Sequence, residues 1–185
     1  LNGYFQSEKY FKNAEKLVRL DFRFKEHIIE EVEKHYLEYL KDKPVSILVR
    51  DFNPEYDYPN CENNHINIPS EFYEKSIDIL GRDRTYIICS NNIEQTKKQK
   101  VFQGDNFIFN EVVPDDIYKG HFDLCLMSMC QDFIISNSTF AWWGAWLGKG
   151  KGKRVLIPTP WYGTGLSHIS TDDLYPDEWE KIEWK

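Results

Sequence analysis

A series of short apolar runs, each closing on small polar residues, constrains this chain more than any other feature. Val45-Ser46-Ile47-Leu48-Val49 is followed by Arg50 and Asp51, and Thr85-Tyr86-Ile87-Ile88-Cys89 by Ser90, Asn91 and Asn92. Phe107-Ile108-Phe109 leads into Asn110 and Glu111, and Phe133-Ile134-Ile135 into Ser136, Asn137, Ser138 and Thr139. Val155-Leu156-Ile157 ends in Pro158, Thr159, Pro160 and Trp161. Runs of this length, rich in β-branched and aromatic residues, read as buried strands. Helical spacing fills the gaps between them. Phe24, Ile28, Val32, Tyr36 and Leu40 predict a helix over 22–41, ended by Pro44. Ser70 caps a second expected helix, closed by Gly81, and others fall near 93–100, 121–130 and 140–147. The Asn- and Pro-rich stretch 51–69 reads as a long loop, and 172–185 as a short helix with a surface segment. Strands alternating with helices imply right-handed crossovers, hence an α/β, Rossmann-like open parallel sheet covered on both faces. Residues 1–44 form an N-terminal helical segment in this reading and 45–185 the sheet domain.

Bulk properties narrow the function. A formal net charge of −7 argues against nucleic acid as the main partner, since duplex binding needs a basic footprint. A local cluster of donors still suits an anionic ligand. The cysteines, Cys61, Cys89, Cys125 and Cys130, form no CxxC pair and read as buried thiols of a reducing compartment, neither a disulfide framework nor a zinc site. No apolar run reaches the roughly 18 residues needed to span a bilayer, and no signal peptide is evident. The chain opens at Leu1 without an initiator Met and reads as a fragment.

In an open parallel sheet, ligands bind beyond the carboxyl ends of the strands. The junction Ser136–Thr139 joins a buried strand to a helix start, where unpaired N–H groups and the helix dipole favour anions. Ser138 and Thr139 add hydroxyls for a diphosphate; plain N-capping is the other reading. The planar fork of Arg50 can grip a phosphate, or pair with Asp51 or another acid. Asp123 offsets a helix dipole, or accepts two hydrogen bonds from a guanine. Phe140–Trp146 reads as helix packing in preference to a cofactor box, and His121 as a surface residue in preference to a general base. The Gly148–Arg154 tract lacks the spacing of either glycine fingerprint and reads as a helix C-cap and a solvated turn.

The stretch Asp123-Leu-Cys-Leu-Met-Ser-Met-Cys, then Phe-Ile-Ile-Ser-Asn-Ser-Thr139-Phe140-Ala-Trp-Trp-Gly-Ala-Trp-Leu147, resembles the signature of the α-1,2-fucosyltransferases, glycosyltransferase family 11. Gly3–Phe11, Phe72–Ile77, Ile88–Asn92, Val155–Trp161 and Asp173–Trp179 resemble further family segments, so the likeness covers nearly the whole chain. It implies one lobe of a GT-B-type enzyme that is inverting and metal-independent, needs no cofactor and uses GDP-fucose as donor. The implied acceptor is a hydroxyl of a galactose-containing glycan. Asp123 would recognise guanine; Asn137, Ser138, Thr139, Phe140, Ser90 and Asn91 would hold the donor; Arg50 would be catalytic, stabilising the departing GDP. The family's glycine-rich N-terminal segment is absent, which implies a separate N-terminal lobe as partner. A cytoplasmic setting with peripheral membrane association is the matching expectation for location.

One motif departs from the family. Its HxRRxD pattern falls on Leu48-Val49-Arg50-Asp51-Phe52-Asn53, so only the first Arg is kept. A carboxylate where a guanidinium stood removes charge stabilisation of the leaving group. Arg82, Arg84 and Lys153 are the candidate compensating cations. An impaired homologue that only binds a nucleotide or glycan is the alternative function.

Overall fold

The computed structural model describes residues 3–55, 57–59 and 61–184, so the outermost ends of the expected segments and two positions of the 51–69 stretch lie outside the described residues. In chain order the elements are α1 (Glu15–Asp21), α2 (Glu26–Lys41), β1 (Val45–Val49), α3 (Cys61–Asn64), α4 (Ser70–Leu80) and β2 (Tyr86–Ser90). There follow α5 (Ile93–Lys97), β3 (Phe107–Phe109), α6 (Lys119–Met129), β4 (Asp132–Ile135), α7 (Thr139–Leu147), β5 (Val155–Thr159) and β6 (Glu180–Glu183). The strands form one parallel six-stranded sheet in the order β3-β2-β1-β4-β5-β6.

Period-two alternation sends each strand's side chains to two separate cores. Leu48, Ile87, Cys89, Phe133, Ile135, Val155 and Ile157 meet α2, α6 and α7 on one face. Val45, Ile47, Val49, Tyr86, Ile88, Ile134 and Leu156 meet Phe72, Tyr73, Ile77 and Leu80 of α4 on the other. Both faces are therefore dry, which is why the central strands are apolar throughout and not alternating. The stretch before β1 joins this packing through the buried Ile28, Val32 and Tyr36 of α2. The aromatic segment of α7 is core as well. Trp142 is fully buried and donates Nε1–H to the carbonyl of Leu174 at 2.8 Å.

Three expectations need correction. The C-terminal stretch contains no helix at its end; it contributes β6, parallel to β5 in the register Leu156↔Glu180 to Thr159↔Glu183. The sequence Glu-Lys-Ile-Glu lacks an apolar run because β6 is an edge strand, and Arg154 fixes it by a bidentate pair to Glu180 at 2.7 Å and 2.7 Å. Ser70 is the first residue of α4, not its cap; Pro69 holds that position and no side chain caps the helix. The 51–69 stretch is not wholly irregular, since α3 interrupts it and buries Cys61 completely.

The strand order reverses between β1 and β4, which run side by side from Val45↔Asp132 to Leu48↔Ile135. From β1 the chain turns toward β2, and from β4 toward β5, so the loops leaving the two strands part and open a crevice. Arg50 stands at the end of one strand and Ser136–Thr139 at the end of the other.

Candidate functional site

Two adjoining chambers occupy that crevice. An inner one of about 220 Å³ is lined by Leu48, Val49, Arg50, Ser90, Asn91, Asp123, Ser138 and Phe140. An outer one of about 580 Å³ includes Arg50, Asn137, Ser138, Thr139 and Phe140, with Phe52, Asp57, Tyr58, His65, Trp161 and Tyr162. Arg50, Ser138 and Phe140 border both. Every candidate donor-binding residue read from the sequence therefore reaches one or both chambers. The helix start and the guanidinium share one crevice.

The crevice joins a positive helix end to a cation. Ser138 is the N-cap of α7, with extended backbone and its Oγ accepting from the Ala141 N–H at 3.4 Å. Capping does not exclude an anion site here, because the cap engages one N–H and leaves those of Thr139 and Phe140 without an intrahelical acceptor. No acid stands in the first turn of α7. Arg50 is held by three contacts. Nη2 pairs with Asp57, Nη1 donates to the Asp51 carbonyl at 3.0 Å, and the guanidinium lies over the Phe52 ring at 4.7 Å. A phosphate entering the crevice would exchange with Asp57 for that guanidinium.

The inner chamber ends on a buried polar network. Asp123 lies in the second turn of α6, not at its start, and is buried. Its Oδ1 accepts from Lys119 Nζ at 2.8 Å and from Asn110 Nδ2 at 2.7 Å. Tyr36 of α2 donates its hydroxyl to Asn110 Oδ1 at 2.7 Å, which fixes the amide's orientation. Burial pushes the Asp123 carboxyl above the usual carboxylate range, and the Lys119 and Asn110 contacts offset part of that rise.

Other candidates are partly occupied by the scaffold. Asn91 Oδ1 accepts from the Asp51 N–H and its Nδ2 donates to the Asp51 carbonyl, both at 2.8 Å. Asn137 Nδ2 bridges the carbonyls of Ile66 at 2.9 Å and Trp161 at 3.0 Å, while its Oδ1 is enclosed without a partner among the described residues. Ser90 Oγ accepts from the Asn92 N–H at 3.0 Å and lies 2.9 Å from the Thr96 hydroxyl, which also reaches the Asn92 carbonyl at 2.9 Å.

The structure also places the residues of the divergent motif. Asp51 lines neither chamber. Its carboxylate receives Asn92 Nδ2 at 2.6 Å and Asn67 Nδ2 at 3.4 Å, so its charge is bound to a loop network away from the crevice. The proposed compensating cations do not replace the lost guanidinium. Arg84 pairs with Asp132 at 2.6 Å at the amino ends of the strands, and Arg82 pairs with Asp78 on α4. Lys153, just before β5, donates to the carbonyls of Ala145, Trp146 and Gly148 at 2.6, 3.1 and 2.8 Å. It caps the C-terminus of α7, which confirms the reading of the Gly148–Arg154 tract as a cap and turn. His121 is exposed and lines neither chamber.

Two residues that the sequence reading passed over stand in the outer chamber, Asp57 and His65. Both come from the 51–69 stretch, where no periodicity marks them; the hint lay in its interleaved Phe52, Tyr58 and His65. His65 stacks on Phe52 with ring centroids 4.8 Å apart and planes at 15°, and meets Tyr58 edge-on at 6.2 Å. Burial first, then Arg50, holds its imidazole below the ordinary histidine value, with Asp57 opposing. Its position depends on close backbone packing. A Cβ on Gly163 would lie 2.3 Å from the carbonyl oxygen of Asn63, so only glycine lets the segment after β5 seat against α3.

Residues 2–183 match the model of the family described as Glycosyl transferase family 11. The chain belongs to that family. An O-antigen biosynthesis glycosyltransferase, WbnK, of Escherichia coli is 30% identical over 119 residues, covering 62% of this chain and 38% of that protein. An alpha-1,2-colitosyltransferase of Escherichia coli is 34% identical over 101 residues, 53% of this chain and 32% of that protein. The matched part thus spans about a third of each curated relative's length. Among solved structures, POFUT1 in complex with GDP-fucose aligns with a TM-score of 0.50 at 13% identity, over 73% of this chain and 47% of that one. A family 9 glycosyl transferase from Veillonella parvula aligns with a TM-score of 0.53 at 13% identity, over 87% and 41%. At such identities the likeness concerns the fold alone, which is the α/β architecture of a lobe of GT-B-type glycosyltransferases. Among the described residues, no helix is long and apolar enough to cross a membrane, and no group of three His, Cys, Asp or Glu residues could hold a metal ion.

Proposed function

We propose that this family 11 chain is the donor-binding lobe of a glycosyltransferase that moves fucose, or a closely related deoxysugar, from a GDP-sugar to a hydroxyl of a galactose-containing glycan. The observation that carries the proposal is the shared border of the two chambers, where Arg50 faces the amide-rich start of α7. The nucleobase fits the inner chamber against Asp123, whose carboxylate would accept two hydrogen bonds from guanine. The diphosphate would lie at the border, on the N–H groups of Thr139 and Phe140 and the guanidinium of Arg50. The sugar and the acceptor would occupy the outer chamber, whose rings (Tyr58, Trp161, Tyr162) suit the apolar face of a pyranose. The colitosyl specificity named for one relative motivates the widening from fucose to related deoxysugars.

Chemically, departure of GDP leaves positive charge at the anomeric carbon and places negative charge on the β-phosphate. The helix start and Arg50 are fixed in advance where that negative charge develops, which is the arrangement that lowers a barrier instead of merely binding substrate. The charge is supplied by protein groups, so the proposed reaction uses no metal. A partner lobe completes the enclosure and contributes to acceptor binding.

Calorimetry with GDP, GDP-fucose and ADP tests the reading. Binding of both guanine ligands with weaker binding of ADP is expected; no heat with either guanine ligand would refute it. A second reading is favoured by one observation, the closure of Arg50 by Asp57. If that pair does not open, the protein binds a GDP-sugar without transferring it, and donor binding without turnover in the presence of N-acetyllactosamine is its signature.

A further inference from the structure

The outer chamber holds few groups able to take a proton. Its titratable lining consists of Arg50, Asp57, His65 and the phenols Tyr4, Tyr58 and Tyr162. Arg50 carries no lone pair to offer. Asp57 is engaged through both oxygens, Oδ1 by Arg50 and Oδ2 by the Asn53 N–H at 3.0 Å. A phenol is a poor proton acceptor near neutral pH, and burial pushes the pKa of Tyr162 up further.

His65 differs from all of these. Its Nδ1 is enclosed with no partner, and Nε2 too has no hydrogen bond, both among the described residues. The ring is fixed by stacking on Phe52 and by Tyr58 and Tyr162, with centroids at 4.8, 6.2 and 6.1 Å. Its own backbone N–H is tied to the carbonyl of Cys61 at 2.7 Å. Rigid aromatic walls and an unengaged ring nitrogen are what a positioned proton acceptor requires.

From this geometry we infer that His65 is the general base of glycosyl transfer, a role that rests on the function proposed above. The resting proton is assigned to Nδ1, which leaves the lone pair on Nε2. The acceptor hydroxyl passes its proton to Nε2 while its oxygen forms the bond to the anomeric carbon. The bond from that carbon to the β-phosphate oxygen breaks, and its electron pair leaves with GDP toward Arg50. The resulting imidazolium stands near Asp57, whose charge partly offsets that of Arg50, and it returns its proton to solvent. Burial and the Arg50 charge keep the ring neutral at physiological pH, so the base is ready without prior deprotonation.

The test uses His65→Ala and His65→Asn in the chain together with its partner lobe, with GDP-fucose and N-acetyllactosamine, beside calorimetric binding of GDP. Both variants should lose about 10²–10⁴-fold in kcat, the usual worth of a general base, and keep GDP affinity within about twofold. The wild-type kcat profile should fall on its acid side through a group below the ordinary histidine value, and the variants should lack that limb. A loss of less than about tenfold, or a fall in GDP affinity that tracks kcat, would overturn the role. A wild-type profile that stays flat into mild acid would overturn it too, even if neither variant folds. Wild-type chain that, together with its partner lobe, binds GDP-fucose but transfers nothing removes the transferase reading, and the role of His65 with it. Wild-type turnover with unchanged variants removes only the latter.

Discussion

The side-chain amide of Asn91 pairs with both backbone groups of Asp51, its Oδ1 and Nδ2 each lying 2.8 Å from their partners. The β1–β2 ladder ends at Val49↔Ser90, and this amide continues it for one more residue where the backbones diverge. The loop that carries Arg50 is therefore tied to β2 by a side chain acting as a short piece of strand.

That tie makes Asn91 a positioning residue for Arg50. Asn91→Ala removes two hydrogen bonds at a solvated site, for a loss of about 1–2 kcal/mol and a Tm lower by several degrees. GDP affinity should weaken as well, because the guanidinium loses its fixed aim. Chemical denaturation and GDP titration of the same variant check both halves of the expectation.

On the proposed function, Asp57 competes with a diphosphate for the Arg50 guanidinium. Asp57→Asn removes the competing charge, and GDP should bind several-fold tighter, equivalent to up to about 1 kcal/mol for a partly exposed pair. Calorimetry reads this directly. Weaker binding would show that Asp57 orients Arg50 for the ligand instead of competing with it.

On the proposed function, Asp123 sets the acid limit of donor binding. Burial raises its carboxyl above the ordinary value, so it takes up a proton at a higher pH than a free aspartate. On the proposed guanine contact, GDP affinity is full at neutral pH and declines as pH falls, beginning above the normal carboxylate range. The folded state binds more protons than the unfolded one in that window, so this group adds stability on acidification and loses it as pH rises through the folded value. The affinity loss should therefore precede any acid unfolding. Tyr36→Phe removes one of two donors to Asn110 Oδ1, leaving the Val112 N–H at 3.2 Å, so it loosens the amide against Asp123 and should raise the GDP Kd by up to several-fold with little change in ADP binding.

Lys153 serves the scaffold and not the ligand. Lys153→Met removes the ammonium from the carbonyls of Ala145, Trp146 and Gly148, of which Trp146 keeps its contact with Arg19 at 3.0 Å, for a loss of about 1–3 kcal/mol. The GDP Kd should stay unchanged, since the residue sits at the far end of α7 from Ser138. A matched loss of GDP affinity would count against this division of roles.

The sheet and the place of its crevice were readable because four strands are buried on both faces and announce themselves as apolar runs, as does the half-buried edge strand β3. The residues beyond their carboxyl ends could then be nominated by position alone. What those residues do was less readable. Asn91 and Asn137 look like donor contacts in sequence, yet each uses its amide nitrogen to hold a neighbouring loop, a choice made by tertiary distances. Leu48 and Asp51 look like damage to a charged motif; the fold buries one in the core and ties the other into an asparagine network. Asp57 and His65 were missed because a loop has no period, and only the seating of α3 against Gly163 brings them in. β6 was missed because an edge strand with one apolar residue has no pattern to read.

The charged character of β6 carries a consequence for how the protein behaves in a crowded solution. An open sheet ends in unpaired backbone groups that can recruit strands from other molecules. Here the outer flank displays Lys181 and Glu183, both exposed, on a strand anchored by Arg154. A foreign strand approaching there would have to strip water from those charges. The flank is protected against intermolecular sheet growth, and the sheet stops at its sixth strand.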